Sequence, residues 1–263
     1  MRGALLAAAA CLAALAAPAA AQTRLFIASD STAQAYAADR YPQTGWGQML
    51  PCGLGADAVV VNRAIGGRST KSFIAEGRWD TLLAEAKPGD VVLIQFGHND
   101  SSTTKPERYA PAATLYRDNL LRMIWEARGH GLVPVLVTPP VRRSFDGTRV
   151  KADFAAYSEV MRALVSSTST PLLDLEARSA ELVQRLGPEG ARKLYLHLKA
   201  EDKAPGFPKG VDDDTHFSEL GARAMADLIA QELKTLKLPI AEKVLAERPD
   251  LTRTTPLGST ACR

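Results

Sequence analysis

The sequence predicts an α/β fold on a five-stranded, mostly parallel sheet, and three observations carry that prediction. Short β-branched runs alternate with longer segments of helical period. The strand runs are nearly continuous in apolar residues, as strands covered on both faces are. Nothing repeats at a fixed period, so the alternation means βαβ units joined in one sheet.

In chain order the predicted strands are RLFIAS (24–29), AVVVNRA (58–64), VVLIQFG (91–97), LVPVLVT (132–138) and PLLDL (171–175). Helical segments are expected near 46–50, 70–86, 112–129, 153–168, 176–187 and 217–237. In LYRDNLLRMIWEARGHG, Leu115, Leu120, Ile124 and Ala127 recur at roughly helical spacing, and Gly129 and Gly131 close the run. Low order is expected at 101–111, at 198–210 and after Arg248.

Residues 1–21 stand apart. Arg2 precedes an Ala/Leu core that ends in Ala19-Ala20-Ala21 before Gln22, the pattern of a cleavable secretory signal. An exported protein is expected, with one domain over 22–248, a tail over 249–263 and no stable membrane association. Composition is globular, 46% hydrophobic and 23% charged, with a formal charge of +3. That charge is too small for a nucleic-acid binder, and no Lys/Arg block with interleaved aromatics is present. Beyond the signal the cysteines are Cys52 and Cys262. A bridge between them and two free thiols are both open.

In open α/β sheets the site lies past the carboxyl ends of the strands. There the chain places Asp30-Ser31, then Gly66-Gly67-Arg68-Ser69, then Gly97-His98-Asn99-Asp100, then Pro139-Pro140-Val141-Arg142-Arg143. The polar burst in FIASDSTAQ (26–34) has two readings, a helix N-cap and a serine nucleophile. A nucleophile needs a base, a group that orients the base, and donors for the oxyanion. His130 sits at a predicted helix end, and His197 in KLYLHLK reads as an ordinary amphipathic-face residue. His98 and His216 follow strand-end or loop residues. Asp213 precedes His216 by three positions, so one turn can bring its carboxylate to one ring nitrogen and leave the other free. The rival reading of VDDDTHFSELGA is an acidic helix start capped by Thr215 or Ser218. No second Asp-x-His or His-x-Glu cluster and no paired cysteines accompany it, so no metal or cofactor is expected. No G-x-S-x-G elbow is present either.

ASDST (28–32), AIGGRSTKSF (64–73), IQFGHND (94–100) and DDDTHFSELGA (212–222) resemble, in order, the sequence blocks of the SGNH or GDSL-type hydrolases, and most of all the rhamnogalacturonan acetylesterase family. The resemblance spans roughly residues 24 to 235. It implies a three-layer α/β/α sandwich of flavodoxin-like topology and a cofactor-free esterase that removes acetyl groups from pectic polysaccharide. It also implies Ser31 as nucleophile, His216 as base and Asp213 as its orienting partner. The oxyanion hole would comprise the Ser31 and Gly67 amides and the Asn99 side chain, with His98 supporting that loop. The family usually has glycine where this chain has Ser29. An acidic polymer calls for cations near the nucleophile, and Arg68, Lys71, Lys105, Arg142 and Arg143 follow the strands as candidate substrate contacts. The same machinery acting on another ester (acetylated xylan, a lysophospholipid or a thioester) and a non-catalytic carbohydrate-binding protein are the alternatives.

Overall fold

The computed structural model describes residues 23–253 and 257–262, so the predicted signal lies outside the described residues. The central sheet comprises β1 (Thr23–Ala28), β2 (Ala58–Asn62), β3 (Val91–Ile94), β4 (Val133–Val137) and β7 (Leu172–Leu173). Its order is β2-β1-β3-β4-β7, and every pairing is parallel. A short hairpin of β5 (Phe145–Asp146) and β6 (Arg149–Val150) follows β4. The predicted strands are all present but shorter at their carboxyl ends, because the last residues of each run leave the ladder to build the loops of the site.

Side-chain alternation separates two cores. Leu25, Ile27, Leu93, Val135 and Val137 point to one face, where they meet α1 (Trp46–Met49), α6 (Leu175–Gly190) and α7 (Glu219–Thr235) through Trp46, Met49, Val183, Ile229 and Leu233. Phe26, Val92, Ile94 and Leu136 point to the other face. There they meet α2 (Thr70–Ala75), α3 (Arg78–Glu85), α4 (Arg117–Gly129) and α5 (Ala155–Thr168) through Phe73, Trp79, Leu120, Ile124 and Met161. The result is the three-layer α/β/α sandwich, in the doubly wound order whose crevice lies between β1 and β3.

Several elements depart from the sequence expectation. The helix expected over 70–86 splits at Gly77, whose φ of 68° L side chains rarely adopt. The segment 112–116 is a π turn ahead of α4, which leaves Leu115 exposed while Leu120, Ile124 and Ala127 are buried. Residues 198–210 join two strands the sequence reading missed, β8 (Tyr195–Leu198) and β9 (Val211–Phe217), which form an antiparallel ribbon. Residues 101–111 are a chain of bonded turns, tied by Ser102 N to Asn99 O, Arg108 N to Lys105 O and Ala110 N to Asp100 O. The tail is also anchored: Cys262 is disulfide-bonded to Cys52, Arg223 donates to the carbonyls of Ser259 and Ala261, and Arg253 pairs with buried Glu219.

Candidate active site

Beyond β1 the chain leaves the sheet through Ser29, Asp30 and Ser31. The buried Ser29 hydroxyl donates to Gln95 Oε1 at 2.9 Å, and its backbone stays out of the left-handed region, so a serine fits where the resembled family has glycine. Asp30 holds the turn: its Oδ1 accepts from Thr32 N at 2.8 Å, and its carbonyl accepts from Ala33 N and Gln34 N. No helix follows. The chain doubles back instead, with Gly45 N and Trp46 N bonding the carbonyls of Gln34 and Thr32. The N-cap reading of Ser31 therefore fails, and its Oγ lies 3.0 Å from His216 Nε2.

His216 and Asp213 come from β9, not from a helix start. The β8–β9 register jumps from Leu196 opposite Asp213 to Tyr195 opposite Phe217. Residues 214–216 thus form a bulge that bends the strand. Asp213 closes that bulge, because Oδ1 accepts from Thr215 N at 2.7 Å and His216 N at 3.0 Å while Oδ2 meets His216 Nδ1 at 2.7 Å. Partial burial alone would raise the Asp213 pKa, but these bonds outweigh it and hold the carboxyl down at about 2. Ser218 then caps α7, accepting from Gly221 N.

Two backbone donors of these loops are unspent. Among the described residues neither the Ser31 amide nor the Gly67 amide has an acceptor. Gly67 has a φ of 78°, a conformation that suits glycine. Next to it, Gly66 carries no side chain where a Cβ would lie 3.5 Å from Ser31 Cβ. The Asn99 amide nitrogen donates to Arg68 O at 2.9 Å, which orients the group and leaves its second N–H available. An arrangement of hydroxyl, imidazole and carboxylate in series, beside unpaired N–H donors, can carry out acyl transfer.

Beneath this layer lie buried ionisable groups. Burial pushes Asp30 up to about 6 and Asp100 up to about 7, against the bonds each accepts from Thr32 and Thr70. His98 packs against Phe154, with its Nδ1 3.7 Å from Asp30 Oδ2. Burial, followed by the charge of Arg142, drives its pKa well below the usual histidine range. The sequence reading missed Tyr36, whose hydroxyl donates to Ser31 O at 2.8 Å, and nothing in AQAYAAD distinguishes it. It also missed Gln95, whose Oε1 accepts from Trp46 Nε1 and Ser29 Oγ. A glutamine inside an apolar strand was the available signal.

The expected cations have different fates. Arg68 pairs with Glu76, and Lys71 donates to Pro106 O at 2.6 Å. Arg143 is a strut of the bulge rather than a free cation: its Nε meets Asp214 Oδ1 at 2.6 Å and its backbone N bonds Asp214 O. Arg142 lies over the Phe154 ring without a hydrogen-bonding partner for its buried Nε. His197 is no ordinary amphipathic-face residue, since its two nitrogens reach Asp212 and Asp214.

Residues 30–224 match the GDSL-like Lipase/Acylhydrolase family. The chain is 38% identical over 224 residues to "Probable rhamnogalacturonan acetylesterase YesY" of Bacillus subtilis, covering 85% of this chain and 98% of that protein. It is 35% identical to rhamnogalacturonan acetylesterase RhgT of the same organism, covering 85% and 94%. The solved structure of B. subtilis YxiM matches with a TM-score of 0.68 at 28% identity over 81% of this chain; the chain spans 56% of that protein. An acetyl-xylooligosaccharide esterase from Geobacillus matches with a TM-score of 0.56 at 19% identity, covering 82% of this chain and 96% of that one, a likeness of fold alone. With the family match covering most of the domain and two relatives aligned over nearly their whole length, the chain belongs to the GDSL-like lipase/acylhydrolase family.

Proposed function

We propose that the protein is an exported esterase that removes acetyl groups from an acidic pectic polysaccharide of the rhamnogalacturonan class. The observation that carries the reading is the unbroken series Asp213–His216–Ser31, with contacts of 2.7 and 3.0 Å, beside the unpaired Ser31 and Gly67 amides. Ser31 Oγ attacks the acetyl carbonyl while His216 Nε2 takes its proton. Asp213 holds Nδ1–H and stabilises the imidazolium that forms. The tetrahedral oxyanion is met by the two amides and the second Asn99 N–H. Collapse breaks the bond to the sugar oxygen, which takes the proton from His216 and leaves as a hydroxyl, with an acetyl ester left on Ser31. Water activated by His216 then releases acetate and restores the serine.

The substrate class is supported by the relatives' names and their near-complete overlap with this chain. Export is supported by the N-terminal pattern and by the Cys52–Cys262 bridge, since disulfides persist in oxidising compartments. The experiment is an acetate-release assay on acetylated rhamnogalacturonan, acetylated homogalacturonan and acetylated xylan. The highest kcat/KM is expected on rhamnogalacturonan; preference for neutral xylan overturns the substrate reading and leaves the esterase chemistry in place.

A further inference from the structure

Arg108 lies at the rim of the candidate oxyanion hole, and its guanidinium is unspent. Its Nη1 is 3.6 Å from the position a Cβ on Gly67 would take. A Cβ on Gly66, the preceding residue, would lie 3.5 Å from Ser31 Cβ, with Gln34 Oε1 nearer at 2.8 Å. Consecutive Cα atoms are only about 3.8 Å apart, so the serine and the guanidinium approach the same glycine pair from its two residues. No hydrogen bond or ion pair to the Arg108 side chain occurs among the described residues, and its Nε is buried without a partner. Of the other cations expected near the serine, Arg68, Lys71 and Arg143 have partners in the protein, and Arg142, whose buried Nε is likewise unpartnered, is stacked on the Phe154 ring.

The position of Arg108 is built. Its segment begins directly after Asn99 and is closed at both ends: Arg108 N and Tyr109 N bond Lys105 O, and Ala110 N bonds Asp100 O. The Tyr157 hydroxyl donates to the Asp100 and Ala110 carbonyls, and Lys71 holds the loop at Pro106. Its charge favours the ionised form of the buried Asp30 carboxyl, but the two make no ion pair. An ordered, half-buried guanidinium with unused donors is suited to bind a planar anion.

We propose that Arg108 is a substrate-binding residue that recognises a uronate carboxylate of the polymer and thereby selects acidic over neutral acetylated chains. This rests on the acidic-polymer reading of the site. In the bound complex the carboxylate accepts hydrogen bonds from the guanidinium while a neighbouring acetyl ester lies over Ser31.

The test compares wild type with Arg108→Gln and Arg108→Lys on acetylated rhamnogalacturonan, on the same polymer with its carboxyls reduced to alcohols, and on 4-nitrophenyl acetate. For Arg108→Gln, kcat/KM on the acidic polymer is expected to fall about 10- to 100-fold relative to either neutral substrate, the range for losing a charge-assisted hydrogen bond. The loss should lie mainly in KM, and Arg108→Lys should recover part of it. Equal losses on all three substrates would mean that Arg108 serves the fold or the oxyanion instead, and would overturn the proposal. A second arm does not depend on the natural substrate: unacetylated oligogalacturonate should inhibit wild-type 4-nitrophenyl acetate turnover competitively, and Arg108→Gln should raise the inhibition constant about tenfold. An unchanged constant overturns the proposal even if the enzyme acts on another polymer. Absence of acetate release from rhamnogalacturonan by wild type, with inhibition intact, would instead overturn the function reading alone.

Discussion

Asp212, Asp213 and Asp214 carry the same side chain and do different things. Asp212 meets His197 and Arg192, and Asp214 meets His197 and Arg143. Asp213 alone reaches His216. Asp213→Asn should therefore lower kcat by roughly 10²- to 10⁴-fold, since its amide cannot hold the same imidazole tautomer against an imidazolium. Asp212→Asn and Asp214→Asn should cost far less. Steady-state kinetics on 4-nitrophenyl acetate checks this, and comparable losses at all three positions would mean that the cluster acts through bulk charge. The chemistry of this residue was legible in the sequence because its spacing to His216 is local. Arg108 was not legible: the role proposed for it comes from its approach to the Gly67 position, 41 positions away, and from a buried Nε without a partner.

At the scale of elements, strands and helices were legible wherever one period ran unbroken. The bulge in β9 was not, because a run of three aspartates before a helix reads as a charged helix start. Only pairing with YLHL, whose own alternation is short, makes it a ribbon. Asp100, in the loop beyond β3, shows what contact with a neighbouring element can impose. Its Oδ1 accepts from Thr70 N at 2.9 Å and from Thr70 Oγ1 at 2.5 Å, while Oδ2 is buried without a partner. Its folded pKa of about 7 exceeds the ordinary 3.8, so the folded state binds the proton more tightly. Its contribution to stability is full below about pH 4 and is lost as pH rises through 7. Urea unfolding should show Asp100→Asn gaining on wild type between pH 4 and 8 by a few kcal/mol. A flat difference across that range would mean that the carboxyl ionises normally in the folded protein.

At the scale of the whole molecule, the fold brings four strand-end segments and one distant ribbon to the β1/β3 crevice. Ser31 and His216, 185 positions apart, meet because the sheet is doubly wound. The architecture was legible for that reason: βαβ alternation leaves few topologies, and each puts the carboxyl ends together. The tail was expected to have low order and is anchored. A bridge closing 210 residues of separation is worth about 5 kcal/mol in the chain-entropy model, and composition alone does not say where a terminal segment lands. The chemistry assigned to this crevice turns on Ser31 as the nucleophile of an acetate-releasing enzyme. The measurement that tests it most directly is the kcat of Ser31→Ala on acetylated rhamnogalacturonan, made on protein whose urea midpoint matches wild type. A loss of at least about a thousandfold is expected, as for other triad nucleophiles; a folded variant that keeps most of its activity would remove Ser31 from the chemistry.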